Sequence, residues 1–201
     1  MKILLTAFEP FGGESLNSSQ EAAALVKSGI AGAEIVKITV PVAFGKSIEA
    51  VLAAIRRELP DAVLCLGQAG GRHEITLERV AINLDDARIP DNEGNWPVDQ
   101  PIDPDGAPAY FSTLPVKAMV SAIRQAGLPA SLSNSAGTFV CNHLMYGVLY
   151  HMARSWPWMR GGFMHLPYLP EQVQDKPGTP SLSREAMAAG IEAAVKAITE
   201  A

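Results

Sequence analysis

The chain has 201 residues, 48% hydrophobic and 18% charged, with a formal net charge of −5. This describes a globular chain with a core of its own, and residues 1–201 read as a single domain. The cations are scattered apart from Arg56-Arg57, and no apolar run approaches the roughly 20 residues of a membrane span, so neither nucleic acid nor membrane is an expected partner.

In chain order, the uniformly apolar Ile3-Leu4-Leu5 predicts a strand over Lys2–Ala7, buried on both faces. The apolar stretch breaks at Glu9-Pro10, too early for a signal peptide, and the chain reads as cytoplasmic. Ser18-Ser19-Gln20-Glu21 reads as a capping box opening a helix to about Ser28. Strands follow at Glu34–Val40 and Ala62–Leu66. Between them Ile48, Val51, Leu52 and Ile55 take the i, i+3, i+4, i+7 spacing of one helix face. Alternation predicts one long strand over Leu77–Leu84. Val116, Met119, Val120 and Ile123 repeat the helical spacing behind Thr113 and Pro115. Strands at Ala130–Ser133 and Gly162–Leu166 bracket a helix over Phe139–Arg154. Met187, Ile191, Ala194, Val195 and Ile198 mark a last helix, started near Ser181 or Ser183. Strands alternating with helices predict an α/β fold: a three-layer α/β/α sandwich on a central, mostly parallel, mixed and twisted sheet. The segment Ile89–Pro115 has no period and several prolines, with Trp96 and Tyr110. It reads as an ordered flap near a site.

The chain has two cysteines and no Cys/His cluster or HExxH, so neither a disulfide framework nor a metal site is implied. Cys65 lies inside an apolar strand and reads as packing. Cys141 follows Ala136-Gly137-Thr138 and falls in the first turn of a helix, where unpaired N–H groups and the helix dipole favour an anion. That position leaves two readings open, a packing residue or a nucleophilic thiol with a lowered pKa, and the same N–H groups would suit an oxyanion.

A cysteine nucleophile needs a base. His143 is two residues away on the same helix and does not face Cys141, and His151 is about 15 Å along it. His73 follows Gly70-Gly71-Arg72 in a loop. His165 closes a strand just before Pro167, where α/β sheets gather their sites, and is the better placed partner. Glu78 shares parity with Val80, Ile82 and Leu84, so a continuous strand turns its carboxylate toward the apolar face. There it needs a histidine or an arginine as partner. Asp86 shares the parity and competes. The Gly67–Gly71 stretch lacks the order of a phosphate loop and reads as a tight turn. Arg72, Arg79 and Arg88 leave a phosphate-dependent enzyme open, and a non-catalytic binding protein is the other alternative.

Four segments together resemble the pyroglutamyl-peptidase I (pyrrolidone-carboxylate peptidase) family of cysteine peptidases. They are Phe8–Gly13; Gly67–Arg72 running on through Glu78–Asn83 to Asp85–Asn92; Ser133–Asn142; and His165–Gln172. The resemblance spans nearly the whole chain. It departs from the family pattern at Leu77 and Ser18, where members often carry proline. It implies an omega exopeptidase that removes N-terminal pyroglutamate from peptides through a thiol acyl-enzyme. On it, Cys141 is the nucleophile, His165 the base and acid, and Glu78 the orienting carboxylate. Arg88 is associated with the oxyanion hole. Phe8, Phe11, Phe139 and Val140 form the ring pocket, with Asn17, Gln68 and Ile89 nearby. It also implies no cofactor, and a homo-oligomer, dimer or tetramer.

Overall fold

The computed structural model describes all 201 residues. In chain order the elements are β1 (Lys2–Phe8), α1 (Ser18–Leu25), β2 (Gly29–Ile30), β3 (Ala33–Val40), α2 (Lys46–Glu58), β4 (Ala62–Gln68), β5 (Ile75–Glu78), β6 (Val80–Ile82), β7 (Ala109–Phe111), α3 (Val116–Gln125), β8 (Ala130–Ser133), α4 (Val140–Ser155), β9 (Arg160–Leu166), a 3-10 turn (Pro170–Gln172) and α5 (Arg184–Thr199). Seven strands form one sheet in the order β2-β3-β1-β4-β9-β5-β8. β3, β1, β4 and β9 run parallel, and β5 runs antiparallel to β9. The sheet is mixed and mostly parallel, as expected.

Alternate residues of the same strands feed two cores. Ile3, Leu5, Leu64, Leu66 and Met164 face α1, α3 and α5. Leu4, Val63, Cys65 and Phe163 face α2 and α4. This period-2 division is why β1 and β4 read as unbroken apolar runs: each strand is covered on both faces. The result is the expected three layers.

Several local expectations are corrected. The first helix is capped by Asn17, whose side chain accepts from the Ser19 N–H, so the cap sits one residue before the proposed box and the helix stops at Leu25. The helix proposed from Phe139 starts at Val140, with Phe139 as its N-cap. The strand expected over Leu77–Leu84 breaks after Glu78. β5 joins the main sheet, while β6 pairs with β7 in a separate two-stranded ribbon. Val80 and Ile82 therefore do not share a face with Glu78. Its same-face neighbour on β5 is Thr76, while Ile75 and Leu77 point to the opposite core.

The segment Ile89–Pro115 is ordered, and it touches the groove that forms the site only at Ile89. It contains β7, and Trp96 Nε1 donates to the Ala87 carbonyl at 2.5 Å. The Asp91 carboxylate accepts from the backbone N–H groups of Phe44, Glu93 and Asn95. Trp96 braces the chain behind Arg88 and is itself 59% exposed.

Candidate active site

The site lies across the ends of β1, β4 and β9, facing α4. Register places Gly67, His165 and Thr76 abreast on β4, β9 and β5. Cys65, Phe163 and Glu78 form the next row down on the same face. Glu78 and His165 are therefore neighbours on a diagonal between two antiparallel strands. His165 Nδ1 lies 2.8 Å from Glu78 Oε1, with His165 3% exposed and Glu78 wholly buried. A carboxylate only accepts, so Nδ1 carries the proton and Nε2 is left as the basic nitrogen.

The two expectations for Glu78, an imidazole partner and an arginine partner, hold at once. Arg72 Nη1 donates to the same Oε1 at 2.6 Å and also to Thr76 Oγ1. Burial disfavours the Glu78 charge, but the contacts with His165, then Ser133, then Arg72 outweigh it and hold the carboxyl below its ordinary range. Burial lowers the His165 pKa, opposed by Glu78 and assisted by the Arg72 charge, so the imidazole rests neutral.

Cys141 is the second residue of α4, and its N-cap Phe139 offers no side-chain acceptor to the first turn. The turn before it uses Gly137 at φ +81°, a conformation glycine adopts without strain. Two further ties hold this turn in place. Thr138 and Asp86 exchange hydrogen bonds of 2.7 and 3.0 Å. The Asn142 side chain clamps both Ile82 backbone groups and the Leu84 carbonyl. The expected lowering of the thiol pKa is corrected. Burial and the nearby Glu78 charge push Cys141 up to about 12, with Arg72 opposing, so the resting group is a thiol. No hydrogen bond joins it to His165, although both border one groove. Burial also pushes Cys65 up to about 12; it packs in the core against α4, as expected.

Beside Cys141 opens a small pocket of about 230 Å³, mouth included, walled by Phe8, Phe11, Val42, Phe139 and Val140, with Asn17 and Gln68 as its polar members. It merges at Phe11, Gln68, Phe139 and Cys141 with a wider, more polar groove. That groove also holds Arg72, Asp86, Arg88, Ile89, His165 and Tyr168. The expected pocket residues thus come together, and Ile89, expected nearby, borders the adjoining groove.

Asn17 is occupied by the fold. Its Oδ1 accepts from the Ser19 N–H and hydroxyl, and its Nδ2 donates to the Glu9 carbonyl. Gln68 Oε1 accepts from the Ser18 N–H at 2.8 Å and from Gln172 Nε2 at 3.0 Å. That leaves the Gln68 amide nitrogen free for a guest.

The other candidates fall away from the chemistry. His73 is exposed on the far side of Arg72. His143 is buried between the Asp85 carboxylate and the Gly45 N–H, each at 2.8 Å, which is a packing role. His151 stacks edge-on against Tyr150. Asp86 is exposed at the groove rim and does not meet His165. The Gly67–Gly71 turn serves close approach: a Cβ at Gly70 would fall 2.1 Å from the Tyr168 ring.

Residues that sequence reasoning gave no role are Val42, Tyr168 and Gln172, and it gave Arg72 only a phosphate role, not the contact with Glu78. All but Val42 stand in the segments that carry the resemblance. Val42 sits in a loop, and no local pattern marks it.

The comparisons with known proteins identify the family and the fold. The pyroglutamyl peptidase family model matches residues 1–201. The chain is 57% identical to pyrrolidone-carboxylate peptidase 1 of Caldanaerobacter subterraneus subsp. tengcongensis, covering 100% of this chain and 99% of the relative. It is 60% identical to pyrrolidone-carboxylate peptidase 1 of Streptococcus pneumoniae serotype 4, covering 100% and 94%. Among solved structures it resembles pyroglutamyl peptidase I of Bacillus amyloliquefaciens, with a TM-score of 0.95, 46% identity and coverage of 100% and 97%. It also resembles a variant pyrrolidone carboxyl peptidase of Pyrococcus furiosus, with a TM-score of 0.93, 42% identity and coverage of 100% and 99%. The chain belongs to the pyroglutamyl peptidase family.

Proposed function

We propose that Cys141, His165 and Glu78 carry out the family's reaction in this chain. By family the protein is a cysteine peptidase, a hydrolase that removes N-terminal pyroglutamate. The observation that supports these roles is a single juxtaposition. An apolar pocket opens directly onto a thiol at a helix N-terminus, and across the same groove stands a histidine whose other nitrogen is tied to a buried carboxylate.

Pyroglutamate is an uncharged lactam with apolar ring carbons, one N–H and one ring carbonyl, which suits apolar walls with a few polar groups. Phe8, Phe11, Phe139 and Val140 receive the ring. Gln68 offers its free amide hydrogens to the ring carbonyl. Proline lacks that carbonyl, and open-chain glutamate would bring charge into the pocket, so both are rejected. Asn17 holds the pocket wall in place.

Because the resting pair is thiol and neutral imidazole, attack is concerted with proton transfer. Cys141 Sγ bonds to the acyl carbon as His165 Nε2 takes the thiol proton, and Glu78 stabilises the imidazolium. The oxyanion is held by the Cys141 N–H and the Arg88 guanidinium. His165 then delivers its proton to the leaving amine, the C–N bond breaks and a thioester remains. Water, deprotonated by His165, attacks the thioester and releases pyroglutamate and the thiol.

The chain acts as one catalytic domain, 1–201, on peptides in the cytoplasm as a dimer or tetramer, without a cofactor. Two unpaired cysteines suit a reducing compartment, and light scattering checks the assembly. The deciding test is release of a fluorescent amine from its pyroglutamyl amide, with the prolyl amide as control. Cys141→Ala is expected to abolish it and Cys65→Ala to retain it. Equal activity in the two variants would sink the assignment.

A further inference from the structure

Arg72 lies between two parts of the site, the carboxylate behind His165 and the turn before Cys141. It stands in the β4–β5 turn, set by Gly71 at φ +91°. Its Nη1 donates to Glu78 Oε1 at 2.6 Å and to Thr76 Oγ1, and its Nη2 donates to the Ser135 carbonyl at 3.2 Å. Ser135 belongs to the turn that leads into α4 and Cys141. The guanidinium fork thus spans from the carboxylate behind His165 to the segment that carries the thiol. Its side chain is 30% exposed at the groove, while Glu78 is wholly buried. Glu78 Oε1 is shared between Arg72 and His165, and Glu78 Oε2 has no partner. The bonds from Arg72 and His165 therefore converge on one oxygen.

We propose that Arg72 is a positioning residue of the reaction, bridging Glu78 to the Ser135 turn so that the imidazole and the thiol are held at a working separation. The proposal rests on the assignment of Cys141, His165 and Glu78 above. A planar fork with several fixed donors can make this bridge, whereas a lysine ammonium is a point charge.

Arg72 has a second effect through the same contact. A buried carboxylate beside a histidine favours the imidazolium, which cannot accept a proton from the thiol. A second cation on the same oxygen weakens that pull. This agrees with the opposing influences of Glu78 and Arg72 on His165. Arg72 acts through Glu78 and not on the acyl group, so its loss should appear in kcat rather than KM.

The experiment compares Arg72→Met and Arg72→Lys with the unmodified enzyme, reading kcat and KM on a pyroglutamyl amide across pH, with folding checked by thermal melting. Arg72→Met is expected to lower kcat about 10²-fold with KM within about twofold, as a misplacement of about 1 Å does. The acid limb of kcat/KM should move up by about one pH unit. Arg72→Lys should restore the acid limb but leave kcat reduced, because the charge returns without the fork. Unchanged kcat in either variant overturns the proposal, as does a loss expressed in KM alone. If Arg72→Met fails to fold, the kcat and acid limb of Arg72→Lys decide it by the same criteria. Cys141→Ala, run alongside, keeps the two claims separate. Residual turnover there undoes the underlying assignment whatever Arg72 does.

Discussion

Cys141 Sγ sits directly above Gly67: a Cβ built on Gly67 would lie 3.0 Å from the sulfur and 2.7 Å from the Phe163 ring. Gly67 pairs with His165 across β4 and β9, so a side chain there would stand between the thiol and the imidazole. Gly67→Ala should destabilise the protein by about 1–3 kcal/mol through overpacking. It should cost at least about tenfold in kcat/KM, because the sulfur must shift. Urea unfolding and steady-state kinetics on one preparation check both. Wild-type activity would show that the sulfur has room to spare.

The thiol should behave as a half-buried, protonated group. With Cys141 pushed up to about 12, chiefly by burial, its alkylation by iodoacetamide should accelerate steadily from pH 6 to pH 9. A preformed thiolate–imidazolium pair would instead give a plateau near neutral pH. The rate of activity loss at each pH distinguishes the two.

Glu78 and His165 together should set the acid limit of stability. Both carry folded-state pKa values below their unfolded ones, so each contributes stability at higher pH that is lost as pH falls. The His165 contribution should begin to fade below about 6.5 and that of Glu78 below about 4.3, the ordinary values of the two groups. Urea unfolding between pH 8 and pH 3 should show both declines, and Glu78→Gln should remove the lower one. The same substitution should reduce kcat by about 10²-fold or more, since the imidazole loses its orienting anion.

Gln172 should govern the pocket through Gln68. It accepts from the Leu169 N–H and donates to the Leu16 carbonyl and to Gln68 Oε1, which fixes which end of the Gln68 amide faces the guest. Gln172→Leu leaves these buried groups unpaired and should cost about 1–3 kcal/mol. KM for a pyroglutamyl amide should rise several-fold, with a smaller change in kcat. An unchanged KM in a folded variant would remove Gln172 from the account.

Arg88 should contribute to oxyanion stabilisation in proportion to one donor. It is exposed at the groove and makes no hydrogen bond within the protein. Arg88→Met should lower kcat about 10²-fold while leaving thermal stability within about 0.5 kcal/mol. A melting shift with full activity would reverse that assignment.

The sequence by itself determined what local periodicity and local chemistry can carry. The helix faces of α2, α3 and α5, the doubly buried strands β1 and β4, and a cysteine in the first turn of a helix all follow from short-range spacing. Glu78 was singled out by a parity that does not exist, because the chain leaves the sheet after it and Val80 belongs to another ribbon. Its true alignment is antiparallel pairing with β9, whose His165 lies 87 residues away from Glu78 in sequence, and no local pattern encodes such a register. The four matching segments identified the residues but not their mutual arrangement. Tertiary structure alone decided that Arg72 and His165 share one carboxylate oxygen and that Gly67 makes room for the sulfur. It also decided how strongly burial pushes the thiol pKa up. The physical reason is that desolvation and close approach depend on what the other strands and loops bring to a position, and that is settled only when the chain has folded.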